Sequence, residues 1–157
     1  MIKRELYMNR IRPFIGGELI KVMTGIRRSG KSVMLELIKN ELVEAGVAPS
    51  QMISINFEDM RYSHLQTATA LHDEIIKRAE GIEGKAYLFF DEIQEVEGWE
   101  KCVNSLRVAL DCDIYITGSN AKLLSGELAT YIGGRYVEFV IYPFSFAEFL
   151  ELYHTIA

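Results

Sequence analysis

Cysteine is scarce in this chain. Cys102 and Cys112 are the two present in 157 residues, ten positions apart, with no His or Cys beside them at metal-ligand spacing. The pair reads as two reduced core thiols and not as a zinc site, which fits a reducing cytoplasm. Long apolar runs are missing too. The opening stretch MIKRELYMNRIRPF carries basic residues without the apolar block of a secretory signal, and no later segment approaches the length of a membrane span. An unexported cytoplasmic protein with no membrane partner is expected. No internal repeat or low-complexity tract interrupts the chain. Positive charge is not in excess: a net charge of −5 argues against this chain alone gripping a nucleic-acid backbone through many neutralised phosphates.

The residues present are those of one globular domain over 1–157, with 49% hydrophobic and 25% charged. A chain of this size buries roughly 70% of its unfolded surface and needs neither metal nor disulfide to stay folded. Short β-branched and aromatic runs alternate with stretches of helical period, the pattern of a parallel sheet covered by helices. Five strands are predicted, at Leu19 to Met23, Met52 to Phe57, Ala86 to Phe90, Asp113 to Ile116 and Tyr136 to Ile141. Helices are predicted from Lys31 to Ala45, over Leu71 to Ala79 and from Trp99 to Leu110, with a further one through Leu123, Leu124 and Leu128. A last helix from Ser145 runs to Ala157 without a stop signal, so the chain is expected to be the N-terminal part of a longer protein.

Between the first strand and the first helix stands Gly25-Ile26-Arg27-Arg28-Ser29-Gly30-Lys31-Ser32, which fits G-x-x-x-x-G-K-[ST] in the strand-to-helix setting that the P-loop (Walker A) requires. Gly25 and Gly30 permit backbone angles and approaches that a Cβ would block, so successive N–H groups can converge on phosphate oxygens. The positive end of the following helix adds to the attraction. The expected nucleotide contacts are Gly25, Ile26, Arg27, Arg28, Ser29, Gly30, Lys31, Ser32 and Val33, with Lys31 reaching the β and γ phosphates and the Ser32 hydroxyl on Mg²⁺. Arg27 and Arg28, at the loop tip, face phosphate, a neighbouring subunit or water.

Sixty residues on, Tyr87-Leu88-Phe89-Phe90-Asp91-Glu92 is an apolar strand that ends in two carboxylates, a Walker B pattern. At the carboxyl end of a parallel strand both face the ligand crevice. Asp91 is expected in the Mg²⁺ coordination shell and Glu92 as the group that orients or deprotonates the attacking water. Asp113-Ile114-Tyr115-Ile116-Thr117-Gly118-Ser119-Asn120 is another buried strand with a small polar end. Ser119 or Asn120 can cap the helix that follows, and Thr117, Ser119 and Asn120 can equally stand near a γ phosphate.

A complete strand, Met52 to Phe57, lies between cradle and acidic pair, as in the additional-strand, catalytic-glutamate division of P-loop ATPases. Together with "TGIRRSGKS", "INFEDMRY", "LFFDEIQEVEGWE", "YITGSNAKLLS", "GGRYVEF" and "YPFSFAEFL", this makes the chain from Arg4 to Leu150 resemble a prokaryotic AAA-type ATPase family. The resemblance implies a three-layer α/β/α fold of AAA+ type, with a five-stranded parallel sheet of order 5-1-4-3-2, and ATP with Mg²⁺ as cofactors. It implies catalytic roles for Lys31, Glu92, Ser119 as a sensor, and Arg135, which would reach a neighbouring subunit's γ phosphate in a homo-oligomer; a salt bridge within the chain is the alternative for Arg135. By position in relatives, Asn56 is the residue that would restrain Glu92. Glu58 and Asp59 either assist Mg²⁺ or form a solvated acidic pair, and Tyr7 and Ile11 either approach the base or belong to a structural helix. Members typically continue into a C-terminal domain, through which a protein or nucleic-acid partner is expected.

The resulting function is Mg-dependent ATP binding and hydrolysis, that is, an ATPase. The alternative is a nucleotide-dependent switch in which hydrolysis is incidental. A small-molecule kinase shares the cradle but seldom places an Asp-Glu pair on this strand.

Overall fold

The computed structural model describes residues 4–26, 28–119 and 132–143. Arg27, Asn120, the helix expected through Leu123 to Leu128 and the one expected from Ser145 lie outside the described residues. A short helix α1 (Glu5–Ile11) leads to strand β1 (Ile20–Thr24) and helix α2 (Lys31–Glu44). Then follow β2 (Met52–Asn56), α3 (Ala68–Ala79), β3 (Ala86–Asp91), α4 (Trp99–Ala109), β4 (Cys112–Gly118) and β5 (Tyr136–Val140). All five predicted strands are present. The α3 helix begins three residues before its first expected apolar position because the Thr67 side chain accepts a hydrogen bond from Ala70 N and sets the start there.

The sheet is parallel throughout, in the order β2-β3-β4-β1-β5, which read from the other edge is 5-1-4-3-2. This is the three-layer P-loop fold expected of an AAA+ domain. Because strand side chains alternate, each central strand supplies both faces. Val22, Leu88, Phe90, Ile114 and Ile116 pack with Leu71 and Ile75 of α3 and Val103 and Leu106 of α4. Met23, Phe89, Tyr115 and Phe139 pack on the other face with Tyr7, Met8 and Ile11 of α1 and Met34, Leu35, Ile38 and Leu42 of α2. Tyr7 and Ile11 are thus core residues of a structural helix.

One charged cluster lies inside this core, at the end of the sheet away from the P-loop. The Lys21 ammonium bonds to Asp113 Oδ1 and donates to Gly17 O at 3.0 Å. The other Asp113 oxygen accepts from Gly16 N at 2.8 Å and from the Tyr115 hydroxyl at 2.6 Å. Both partners of the ion pair are fully buried. Burial pulls the Lys21 pKa down, Asp113 opposes that pull, and burial raises the Tyr115 hydroxyl above its ordinary range.

Both cysteines are free. Cys102 is buried under α4, and Cys112 is half-buried, its Sγ donating to Leu106 O. Burial pushes the Cys102 thiol up to about 12 and the Cys112 thiol up to about 11.

Three outcomes follow. Asp113→Ala strands a buried ammonium and is expected to cost about 3–5 kcal/mol in urea-monitored unfolding. Neither thiol should react with Ellman's reagent at pH 8 in the folded protein, whereas both react at once in denaturant. Unfolded thiols ionise near pH 9 and the folded ones not until pH 11 to 12, so stability should decline as pH rises through that window.

Candidate active site

The crevice is built where β1 stops. A Cβ on Gly25 would lie 2.3 Å from the Ile141 carbonyl oxygen and 2.8 Å from Ser29 Oγ, so no larger residue fits this backbone path. Gly30 has a φ of 98°, and a Cβ there would meet Arg4 Nη1 at 2.6 Å. Arg28, between them, holds a φ of 65°, an uncommon conformation for a residue with a side chain and one that gathers at functional turns. Gly30 caps α2 without any side-chain acceptor, so the first-turn N–H groups receive no bond from their own cap. Arg28, Gly30, Lys31, Ser32, Val33, Glu58 and Glu92 line a cavity of about 430 Å³ at this point. Ile26 projects into solvent.

Arg4 holds this loop from behind. Its guanidinium is 1% exposed and donates to Ser29 O and to Tyr142 O, each at 2.7 Å. Tyr142 N in turn donates to the Tyr7 hydroxyl at 3.0 Å. The N-terminal segment, the loop and the end of β5 are thereby one unit. A single arginine near a chain start carries no motif, and its position opposite Ser29 arises only from folding.

Lys31, the first residue of α2, is 4% exposed. Its Nζ donates to Gly25 O at 2.6 Å and stands 3.7 Å from Glu92 Oε1. The Ser32 hydroxyl donates to Asp91 Oδ2 at 2.6 Å, joining α2 to the end of β3. Thr117, at the end of the neighbouring strand β4, donates to Asp91 Oδ1 at 2.5 Å and accepts from Glu92 N at 2.9 Å. Of the three polar groups expected at that strand end, Thr117 is bonded to both members of the acidic pair, and Asn120 lies outside the described residues. Ser119 lines a second cavity, of about 390 Å³, together with Phe57, Glu58, Gln66, Glu92, Gln94 and Glu95.

Glu92 has a φ of 58° and opens a short 3-10 turn, Ile93–Glu95. Gln94 of that turn donates from Nε2 to Glu92 Oε2 at 2.5 Å. Asn56, the residue expected from relatives to restrain Glu92, is exposed, and its side-chain oxygen accepts from Glu58 N at 3.0 Å. Asp59 accepts from Arg61 N and pairs with the Arg61 guanidinium, whose hydrogen bonds and charge hold the carboxyl below its usual range. That is the solvated reading for Asp59, while Glu58 lines both cavities.

Arg135 lies elsewhere. It is exposed and immediately precedes β5, where Tyr136 pairs with Ile20 at the start of β1. From there to Thr24 the strand rises about 13 Å, so Arg135 stands at the opposite end of the sheet from this chain's own cradle.

Ser32 and Asp91 offer hard oxygen donors 2.6 Å apart, suited to a small divalent cation that keeps most of its water. Among the described residues no cluster of three His, Cys, Asp or Glu could hold a metal on protein groups alone. No helix among them is long and apolar enough to cross a membrane.

Residues 17–150 match the family model for an AAA domain. An uncharacterized protein of Haemophilus influenzae is 48% identical over 151 residues, 96% of this chain and 38% of its own length. One from Methanocaldococcus jannaschii is 42% identical over 132 residues, 84% of this chain and 28% of its own length. The chain thus spans well under half of these relatives. Among solved structures, a DNA replication initiation factor superposes with a TM-score of 0.64 at 17% identity, covering 98% of this chain and 50% of that one. AMPPCP-bound DnaA from Aquifex aeolicus superposes with a TM-score of 0.63 at 16% identity, with the same coverage. With a parallel sheet in the AAA+ order and a family match over most of its length, the chain belongs to the AAA domain family of nucleotide-binding ATPases.

Proposed function

We propose that this chain binds Mg-ATP and hydrolyses it. The observation that carries the reading is the convergence of Lys31, Ser32, Asp91 and Glu92 at the mouth of a cradle where Gly25 leaves no room for a Cβ and Gly30 holds a left-handed φ. Backbone N–H groups from Gly25 to Val33 receive the phosphates, and Lys31 exchanges its bond with Gly25 O for the β and γ phosphate oxygens. Ser32 and Asp91 would hold Mg²⁺, which would supply positive charge against the phosphate oxygens. Glu92 takes a proton from the attacking water, and the Thr117 hydroxyl fixes Glu92 through its backbone and Asp91 through its side chain. Ser119 lines the same cavity as Glu92, which supports a sensor role toward the γ phosphate. An ATP analogue bound to DnaA of the same fold supports ATP as the nucleotide.

Arg135 acts in a neighbouring copy's site, since its place at the far end of the sheet keeps it from its own. The chain is accordingly the nucleotide-driven part of a homo-oligomer in the cytoplasm, and its output passes to a protein or nucleic-acid partner through regions such as those that lengthen its relatives.

Lys31→Ala is expected to remove about 2–5 kcal/mol of Mg-ATP binding, at least about 30-fold in Kd by calorimetry. Glu92→Gln should bind Mg-ATP as the parent does while phosphate release slows by about 10² to 10⁴. Parental release from Glu92→Gln would remove Glu92 from the mechanism. Arg135→Ala should leave Kd unchanged and lower turnover by about 10³ or more, with recovery when mixed with subunits that carry Arg135 but lack Glu92.

A further inference from the structure

We infer that Gln94 is the positioning residue for the catalytic carboxylate, a role distinct from the restraint that the resemblance to relatives assigns to Asn56. This rests on the reading of Glu92 as the base. Asn56 has its side-chain oxygen engaged by Glu58 N within its own turn. Glu92 instead receives its short hydrogen bond from Gln94 Nε2, at 2.5 Å on Oε2.

The turn that presents Gln94 is anchored. Ile93 is fully buried and Val96 nearly so, and Val96 N bonds to Ile93 O at 2.9 Å. Glu92 starts the turn from a left-handed backbone position, with its N–H held by Thr117. Backbone and carboxylate of Glu92 are therefore gripped separately, the first by Thr117 and the second by Gln94. The Gln94 amide is oriented by this bond: its NH₂ faces the acceptor-only carboxylate, and its Oε1 is left buried with no hydrogen-bond partner among the described residues.

The consequence concerns which oxygen does the chemistry. Glu92 Oε1 stands 3.7 Å from Lys31 Nζ. When polyphosphate claims Lys31, Oε1 loses that cation while Oε2 stays on Gln94. Oε1 is then the oxygen turned to the water. It accepts the water proton as the water oxygen bonds to the γ phosphorus and the bond to the bridging oxygen breaks, releasing ADP. Without Gln94 the carboxylate rotates, and the fraction aligned with water falls.

The test is steady-state Mg-ATP hydrolysis, AMPPCP affinity and Tm, all in the full-length protein, for Gln94→Leu, Glu92→Gln and the double variant. Gln94→Leu keeps much of the side-chain volume and removes the donor. Its kcat is expected to fall about 10- to 100-fold with KM and AMPPCP Kd within about twofold and Tm unchanged, and the double variant should be no slower than Glu92→Gln alone. Should Gln94→Leu not fold, Gln94→Glu serves, since a carboxylate in place of the donor repels Glu92 and should slow turnover as much. A parental kcat in the folded Gln94 variant, a matching loss of AMPPCP affinity, or additive loss in the double variant overturns the assignment. Arrest by Glu92→Gln beside parental turnover in Gln94→Leu removes only Gln94. Parental turnover in Glu92→Gln, or none in the parent, removes the reading of Glu92 and this inference with it.

Discussion

At Gly25 the chain passes so close to the end of β5 that a methyl group would sit 2.3 Å from Ile141 O. That contact sets the path of the loop, and the rest of the site follows from the path. Ser29 O is turned back to Arg4, Gly30 takes the left-handed angle that starts α2, and Lys31 is drawn inward onto Gly25 O. Because β1 lies between β4 and β5, the loop emerges beside the strand end that carries Thr117 and one strand from the end that carries Asp91. This order leaves a single strand, β4, between the basic loop and its acidic complement.

Among the described residues two lysines are buried, and comparison of their surroundings separates structure from chemistry. Lys21 is closed: Asp113 and Gly17 O take its protons, and the outer oxygen of Asp113 is taken by Gly16 and Tyr115. Such a cluster leaves nothing for a ligand and serves to hold the end of the sheet away from the crevice. Lys31 is open, with one backbone bond and a carboxylate 3.7 Å away. Loosely matched charge beside a cavity is a usual preparation for a polyanion, since partners can be exchanged there without leaving any charge bare.

The groups around Glu92 divide their tasks along the same lines. Thr117 ties the backbone of β3 to β4 and fixes where the carboxylates begin, while the 3-10 turn after β3 carries the amide that fixes where one of them points. Arg135, just before β5, stands at the end of the sheet away from this chain's own cradle.

The sequence by itself determined the elements and the family-level reading of a nucleotide-binding P-loop. Alternation and helical period are local properties, so all five strands and the helices around Leu35, Ile75 and Leu106 were readable, and the P-loop was readable because Gly25 to Ser32 is one contiguous cradle. Periodicity did not supply the order of the strands, which came from resemblance to a known family. Only the tertiary structure decided which distant groups meet, Arg4 with Ser29, Lys21 with Asp113 and Thr117 with both Asp91 and Glu92, and which neighbour, Gln94, turns onto the Glu92 carboxylate. A side-chain hydrogen bond depends on differences of an ångström or less between segments far apart in the chain or turned by a single φ, and no local pattern of residue types records them.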